Sequence, residues 1–124
     1  MAGNIATYYR TVLLKALKNE SPAVAAVYVK LHTSEPGLEG TANAAGETTR
    51  KAVTWAAPSG GAIKNSAAME WTSVSTSETY KGVSLWDAST AGNCLIVGPL
   101  EAEKTVSAGD TFKIAVEGLA VSLT

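Results

Sequence analysis

The sequence feature that most constrains the fold is an alternation of apolar and polar side chains with a period of two. It first appears over residues 27–32 and recurs in several later segments. Successive side chains of a strand point to opposite faces of a sheet, so this period is typical of half-buried strands. Turn-forming stretches such as Ser34-Glu35-Pro36-Gly37 and Pro58-Ser59-Gly60-Gly61 separate the segments. The pattern predicts a mostly β chain, an antiparallel β-sandwich of about seven or eight strands.

The predicted strands share this alternation and are short. They cover residues 27–32, 49–55, 62–64, 67–72, 80–87, 94–100, 112–116 and 119–123. The loop from Gly40 to Gly46 has almost no large apolar residue, and we expect it to be mobile or to contact a partner.

The first twenty residues follow a different period, with apolar side chains three and four positions apart. This spacing predicts one amphipathic helix, with Asn4 as its N-cap and Pro22 beyond its end. A helix of about four turns is marginal by itself and must pack on something. We therefore expect residues 1–20 to be an assembly contact and residues 21–124 to be the sandwich domain. The candidate assembly contacts are the apolar residues of the helix: Ile5, Tyr8, Tyr9, Val12, Leu13 and Leu17.

Charge and hydropathy exclude several classes of partner. The chain has 10 basic and 11 acidic residues, and the basic residues are scattered, so we expect no nucleic-acid partner. No apolar run approaches the roughly 20 residues that span a bilayer, so we expect no membrane partner. Arg10 and Lys15 interrupt any signal-peptide core, which predicts synthesis in the host cytoplasm without a signal peptide.

The residues that could carry catalysis are few. His32 is the only histidine, and we expect it to be an exposed or half-buried strand residue. Cys94 is the only cysteine and is expected in the core. Asp87 and Asp110 adjoin turns, where a carboxylate accepts hydrogen bonds from turn amides. We therefore predict no catalytic residue, no cofactor and no metal site, and a protein that is not an enzyme.

Three tryptophans allow two interpretations. Trp55, Trp71 and Trp86 all lie in predicted strands, where large aromatic side chains commonly anchor a core. Tryptophan is also enriched at recognition surfaces, so each is a candidate surface-recognition aromatic for a neighbouring subunit or a host glycan. The sequence leaves both interpretations open.

Four sequence blocks occur in order along nearly the whole chain. They are residues 28–37 (YVKLHTSEPG), residues 52–61 with 65–67 (AVTWAAPSGG and NSA), residues 83–88 (VSLWDA) and residues 104–110 (KTVSAGD). Together they resemble a family of small phage tail-fibre-like or virion decoration proteins with a β-sandwich fold. The sequence departs from the pattern of that family between Gly40 and Arg50.

The resemblance implies a structural role in a bacteriophage virion, as a capsid decoration, head-fibre or tail-associated subunit. Its expected partners are other virion proteins, such as major capsid or tail proteins, and further copies of the same chain, joined through the helix and exposed strand edges. The alternative is a carbohydrate-binding module that recognises the host cell surface. A hydrolase that uses His32 or a pair of carboxylates is a distant third hypothesis.

Overall fold

The computed structural model describes residues 4–122. Within them, the helix α1 (Thr7–Leu14) continues as a 3-10 turn (Lys15–Lys18), and nine strands account for most of the remaining regular structure. The strands are β1 (Asn4–Ile5), β2 (Tyr28–His32), β3 (Lys51–Ala52), β4 (Ala62–Lys64), β5 (Met69–Trp71), β6 (Glu78–Trp86), β7 (Cys94–Val106), β8 (Phe112–Ile114) and β9 (Ala120–Ser122).

The strands form one large and two small antiparallel sheets. The large sheet has the order β1-β7-β6-β2-β3, and the small sheets pair β4 with β9 and β5 with β8. The main apolar core includes side chains of the large sheet and of both small sheets. The predicted mostly β, antiparallel sandwich with one N-terminal helix is confirmed.

Three aromatic rings form the centre of this core. The ring centroids of Trp71 and Phe112 are 5.6 Å apart, and those of Tyr80 and Phe112 are 5.1 Å apart in an edge-on arrangement. Each ring comes from a different strand, so the contacts hold the small β5-β8 sheet against the large one. Full burial of one such side chain stabilises a fold by about 1.5–3 kcal/mol.

Strand β6 departs from simple alternation, because its residues 82–86 are all buried. One face meets the main core. On the other face, Trp86 joins a smaller cluster with Ala6, Cys94 and Val97. Ala6 directly precedes the helix, so the segment that leads into the helix packs on the second face of the large sheet.

Strand β7 is longer than predicted and contains a large bulge. Tyr80 faces Lys104 and Gly82 faces Pro99, so β7 takes five residues to cover two residues of β6. The extra residues form a β-bulge, and residues 101–105 are exposed. The predicted strand 49–55 is also shorter than expected: only Lys51–Ala52 is assigned as strand, with a single bridge from Trp55 to Asn65.

The prediction for the start of the helix is wrong. Ala6 is the N-cap residue, and Asn4 and Ile5 are extended because they pair with Val97 and Ile96 of β7. The helix ends where Asn19 adopts a left-handed conformation with φ of 62°. This conformation is common at helix C-termini and needs no help from Pro22.

Candidate assembly surface

The first turn of the helix is tied to the large sheet. The backbone N–H of Ala6 donates to the carbonyl of Leu95 over 2.9 Å, and Ala6 is only 1% exposed. Arg10 Nε donates to the carbonyl of Ile5 over 2.7 Å, which joins the helix to β1. The position of the helix relative to β7 is therefore fixed at its beginning.

The far end of the helix is not covered. No residue of α1 or of the 3-10 turn is fully buried against the rest of residues 4–122. Leu14 is 62% exposed and Leu17 is 85% exposed. Residues three apart share one face of a tight helix, so these two side chains form one apolar row, with Lys15 and Lys18 beside it.

The predicted assembly contacts are divided between two environments. Ile5 is half-buried in β1 rather than in the helix, and Tyr9, Val12 and Leu13 are half-buried. Burial raises the pKa of Tyr9. Tyr8, at 44% exposed, and Leu17 remain accessible. The predicted set of assembly contacts did not include Leu14.

An apolar groove of about 350 Å³ lies beside Tyr9. Its other walls are formed by the segment 24–27, by Val53 and Trp55, and by core side chains of the sheets. No charged side chain lines it among the described residues.

A second, more polar pocket of about 490 Å³ lies where the loop after β2 approaches β7. Its apolar lining includes Leu38, which is 41% exposed. Two carboxylates, Glu35 and Glu103, and one ammonium, Lys81, also line it. We call it the acidic pocket. Gly82 forms part of its floor, where a Cβ atom would lie 3.0 Å from the carbonyl oxygen of Ser34.

His32 forms a buried hydrogen-bond network rather than an exposed site. Its Nδ1 atom lies 2.8 Å from the carbonyl oxygen of Ala42, and its Nε2 atom lies 2.7 Å from Ser84 Oγ. Trp86 Nε1 donates to the same Ser84 oxygen over 2.7 Å. A carbonyl only accepts, so Nδ1 carries the proton, and Nε2 accepts from the Ser84 hydroxyl.

This network corrects the expectation for His32. The side chain is 0% exposed, as is Ser84, because the loop 33–46 folds over them. The loop is held by backbone bonds from Thr33 to Asn43 and from Ala45 to Leu31. In some enzymes a serine hydroxyl that donates to an imidazole acts as a nucleophile, with the imidazole as its base. Here both groups are sealed from solvent, and their contacts secure the loop.

Burial and charge set the ionisation of the two candidate reactive residues. Desolvation lowers the pKa of His32, and the nearby Lys30 lowers it further, while the Ala42 carbonyl opposes them. Cys94 is buried, as predicted, and burial raises its pKa to about 11. Within residues 4–122, no three His, Cys, Asp or Glu side chains cluster as metal ligands would.

Arg50 was not singled out from the sequence, yet it joins three segments. Its guanidinium carbon lies 4.2 Å from the centroid of the Trp86 ring. Its Nη1 atom donates to the carbonyls of Ala88 and Ala91 over 2.8 and 2.7 Å. Arg50 thus clamps the β6-β7 turn onto the tryptophan.

The two turn aspartates behave as predicted. Asp87 accepts from the backbone N–H of Asn93 over 2.7 Å, and Asp110 accepts from the N–H of Ser107 over 2.8 Å. Each carboxylate is thus used to close a turn next to it.

Two of the three tryptophans lie in the interior. Trp71 is 1% exposed and donates from Nε1 to the carbonyl of Thr49 over 2.8 Å. Trp86 is 7% exposed. Burial does not fit a role for these two at a recognition surface, because their rings already contact other parts of the chain. Trp55 is half-buried at the apolar groove.

Asn65 is a structural hub that the sequence analysis overlooked. It is 0% exposed, and its Nδ2 atom donates to the carbonyls of Ala67 and Ala115 over 2.8 and 2.9 Å. Its Oδ1 atom accepts from the N–H of Leu119 over 2.9 Å. Asn65 begins the NSA part of the second block that resembles the phage family, but the block gave it no structural role, and an asparagine next to a short strand is ordinary for a turn.

The described residues form a small antiparallel β fold with an exposed apolar helix end. A family model described as Podophage GP4 fiber I protein gp80 matches residues 4–122, and the chain belongs to this family of phage fibre proteins. No curated protein matches the chain significantly. The family is one of structural proteins, and no helix within residues 4–122 is long and apolar enough to cross a membrane.

The expectation of a phage fibre-like family is therefore confirmed at the level of the family. The match covers the chain as a whole and does not test the four blocks separately.

Proposed function

We propose that this chain is a structural subunit of a phage particle and that the exposed end of its N-terminal helix joins it to neighbouring virion proteins. The family supports a structural role in the virion. The observation that carries the proposal is the exposure of Leu17, at 85%, on a helix whose first turn is fixed to the sheet.

The energetic argument favours a partner at this end. A fully buried leucine contributes about 1.5–3 kcal/mol relative to an exposed one, and Leu14 and Leu17 leave most of that unused. A helix this short is marginal without packing. A neighbour that covers the row formed by Leu14 and Leu17 would stabilise both the helix and the assembly.

The proposal is tested by the double substitution Leu14→Ser and Leu17→Ser in the full chain, supplied to a phage that lacks its own copy. Both side chains are mostly exposed, so the isolated variant should fold with little loss of stability. We expect its amount in purified particles, measured by quantitative mass spectrometry, to fall at least about tenfold, as loss of about 1.4 kcal/mol would produce.

Val116 provides a matched control, because it is an apolar residue that is 55% exposed but does not belong to the helix. It lies just after β8. Val116→Ser should enter particles at the normal level. Normal incorporation of the double leucine variant would refute the proposed role of the helix. Deletion of residues 1–20 would be a poorer test, because it also removes Ala6 from the buried cluster around Trp86.

A further inference from the structure

Positive charge predominates at the exposed helix end. Residues 4–20 contain Arg10, Lys15 and Lys18 and one acidic residue, Glu20, whose backbone N–H bonds the carbonyl of Lys15. Arg10 is engaged with the carbonyl of Ile5. Lys15 and Lys18 have exposed side chains at the same end as the row formed by Leu14 and Leu17. A surface that offers both apolar contact and negative charge would therefore complement this end.

The acidic pocket has both properties. Leu38, 41% exposed, supplies apolar surface, while Glu35 and Glu103 outnumber Lys81 in its lining. The apolar groove beside Tyr9 is a poorer match, since none of its described lining residues is charged and it offers nothing to the two lysines.

A chain cannot fill its own acidic pocket with its own helix end. Asn4 lines the pocket, and the helix begins only three residues later at Thr7. The helix start is held by the bond from Ala6 to Leu95. From Thr7 to Leu17 the helix advances about 15 Å. No residue of the helix lines this pocket in its own chain, so a helix end that fills the pocket would come from another copy.

We propose that the exposed helix end of one copy docks into the acidic pocket of a second copy. Leu17 contacts Leu38, and Lys15 and Lys18 lie against Glu35 and Glu103. This inference rests on the proposed function and names the partner as the same chain. The two surfaces differ, so the contact is heterologous and repeats from copy to copy as a ring or an open array.

The contact is small. Stable complexes bury about 800 Å² on each partner, and one helix end in one pocket offers less. Isolated copies should therefore associate weakly, and the contact should gain strength when several copies are held together in a particle.

Cysteine cross-linking tests the proposal in the full chain. The native Cys94 is buried, so it contributes little background. Leu17→Cys and Leu38→Cys proteins are mixed under mild oxidation, and disulfide-linked dimers are measured by mass spectrometry. A specific contact should raise the rate about tenfold or more over a pair held together only by collision. The collision control is Leu17→Cys mixed with Val116→Cys.

Charge reversal provides a second arm. Glu35→Lys with Glu103→Lys, added to the Leu38→Cys protein, should reduce cross-linking to the control rate. Lys15→Glu with Lys18→Glu on the Leu17→Cys partner should restore it. Equal rates for the Leu38→Cys and Val116→Cys pairs, in free protein and in purified particles, would overturn the proposal.

The two proposals fail separately. If Leu14→Ser with Leu17→Ser lowers incorporation but Leu17→Cys and Leu38→Cys do not cross-link, the helix end binds a different virion protein and the second copy is excluded as its partner. If incorporation is unaffected, the proposed function itself fails.

Discussion

The imidazole of His32 accepts a hydrogen bond from the hydroxyl of Ser84, with 2.7 Å between Nε2 and Oγ, and neither residue is exposed. The Ser84 oxygen also receives the indole N–H of Trp86. The arrangement is satisfied only when the imidazole is neutral. A proton on Nε2 would leave the Ser84 hydroxyl hydrogen without this acceptor.

The first prediction is a loss of stability in acid. Burial lowers the pKa of folded His32 below its ordinary value of 6.5, so the unfolded chain binds more protons between the two values. The contribution of His32 is complete above pH 6.5 and declines as pH falls from there towards the lowered pKa. The difference between the free energies of unfolding in urea at pH 8 and pH 5 measures this contribution, with Ser84→Ala and His32→Gln as comparisons.

The His32→Gln protein should lose this part of the pH dependence, although it starts less stable. The acid effect would be assigned to other groups if the same slope between pH 5 and 7 persisted in that variant.

The second prediction concerns Asn65. Its replacement by Ala would leave the carbonyls of Ala67 and Ala115 and the N–H of Leu119 without their side-chain partner. Only the bond to the Leu119 N–H is buried, because Ala67 and Ala115 are exposed and the Ala115 carbonyl still accepts from the N–H of Gly118. A buried group that loses its partner costs about 1–3 kcal/mol, so the free energy of unfolding should fall by about that amount. Ser66→Ala, at the exposed neighbouring position, should change it by less than about 0.5 kcal/mol. Equal losses for the two variants would show that Asn65 is not a hub.

The third prediction concerns the Tyr80 hydroxyl. It is buried and has no hydrogen-bond partner among residues 4–122. Tyr80→Phe removes that unsatisfied group and keeps the ring against Phe112, so stability should be unchanged or higher by up to about 1 kcal/mol. A loss above 1 kcal/mol in thermal or urea unfolding would mean that the hydroxyl has a partner after all.

Tyr80→Phe should also change how the stability of the protein depends on pH in alkali. Burial, aided by the charges of Glu78 and Glu47, raises the pKa of Tyr80 from 10.0 to about 12. Between these values the folded chain holds a proton that the unfolded chain has released, so the native protein loses stability as pH rises above 10. Tyr80→Phe should lack that loss.

The fourth prediction tests the clamp formed by Arg50. Lysine cannot reproduce both the stack on Trp86 and the two donated hydrogen bonds, so Arg50→Lys should lower the free energy of unfolding by about 1–2 kcal/mol. The same exchange at the exposed Arg10, which makes one bond, should cost about 0.5 kcal/mol or less. Indistinguishable effects at the two positions would count against the clamp.

The fifth prediction is that Cys94 reacts slowly. Burial raises its pKa to about 11, and the thiolate is the reactive form. Labelling of native protein by a thiol reagent at pH 8 should be at least about a hundredfold slower than in urea. Gly40→Ala should accelerate it, because the added Cβ would lie 2.6 Å from the Cys94 sulfur. Fast labelling of the native wild type would contradict the burial.

The sequence predicted those parts of the fold that depend on local pattern. The alternation at Val29 and Leu31 identified β2 correctly, because one face of that strand meets the core. The turn roles of Asp87 and Asp110 followed from neighbouring residues. Each of these features is decided within a few positions of the chain.

Features that depend on distant contacts were missed. His32 is buried because the loop that contains Ala42 folds back over it, and Asn65 is a hub because Ala115 and Leu119 return to it from 50 or more residues away. Ile5 was predicted to lie on the apolar face of the helix, but it is extended because it pairs with Ile96. Local spacing contains no information about such partners.

We propose that this chain is a structural subunit of the virion and that neighbouring proteins hold it by the end of its N-terminal helix. The most direct measurement is an electron-microscopy map of the intact particle at a resolution that shows side chains. We predict several copies of the sandwich, with Leu14 and Leu17 of each copy covered by a neighbouring protein. Particles that lack the chain, or copies whose helix ends face only solvent, would contradict the account.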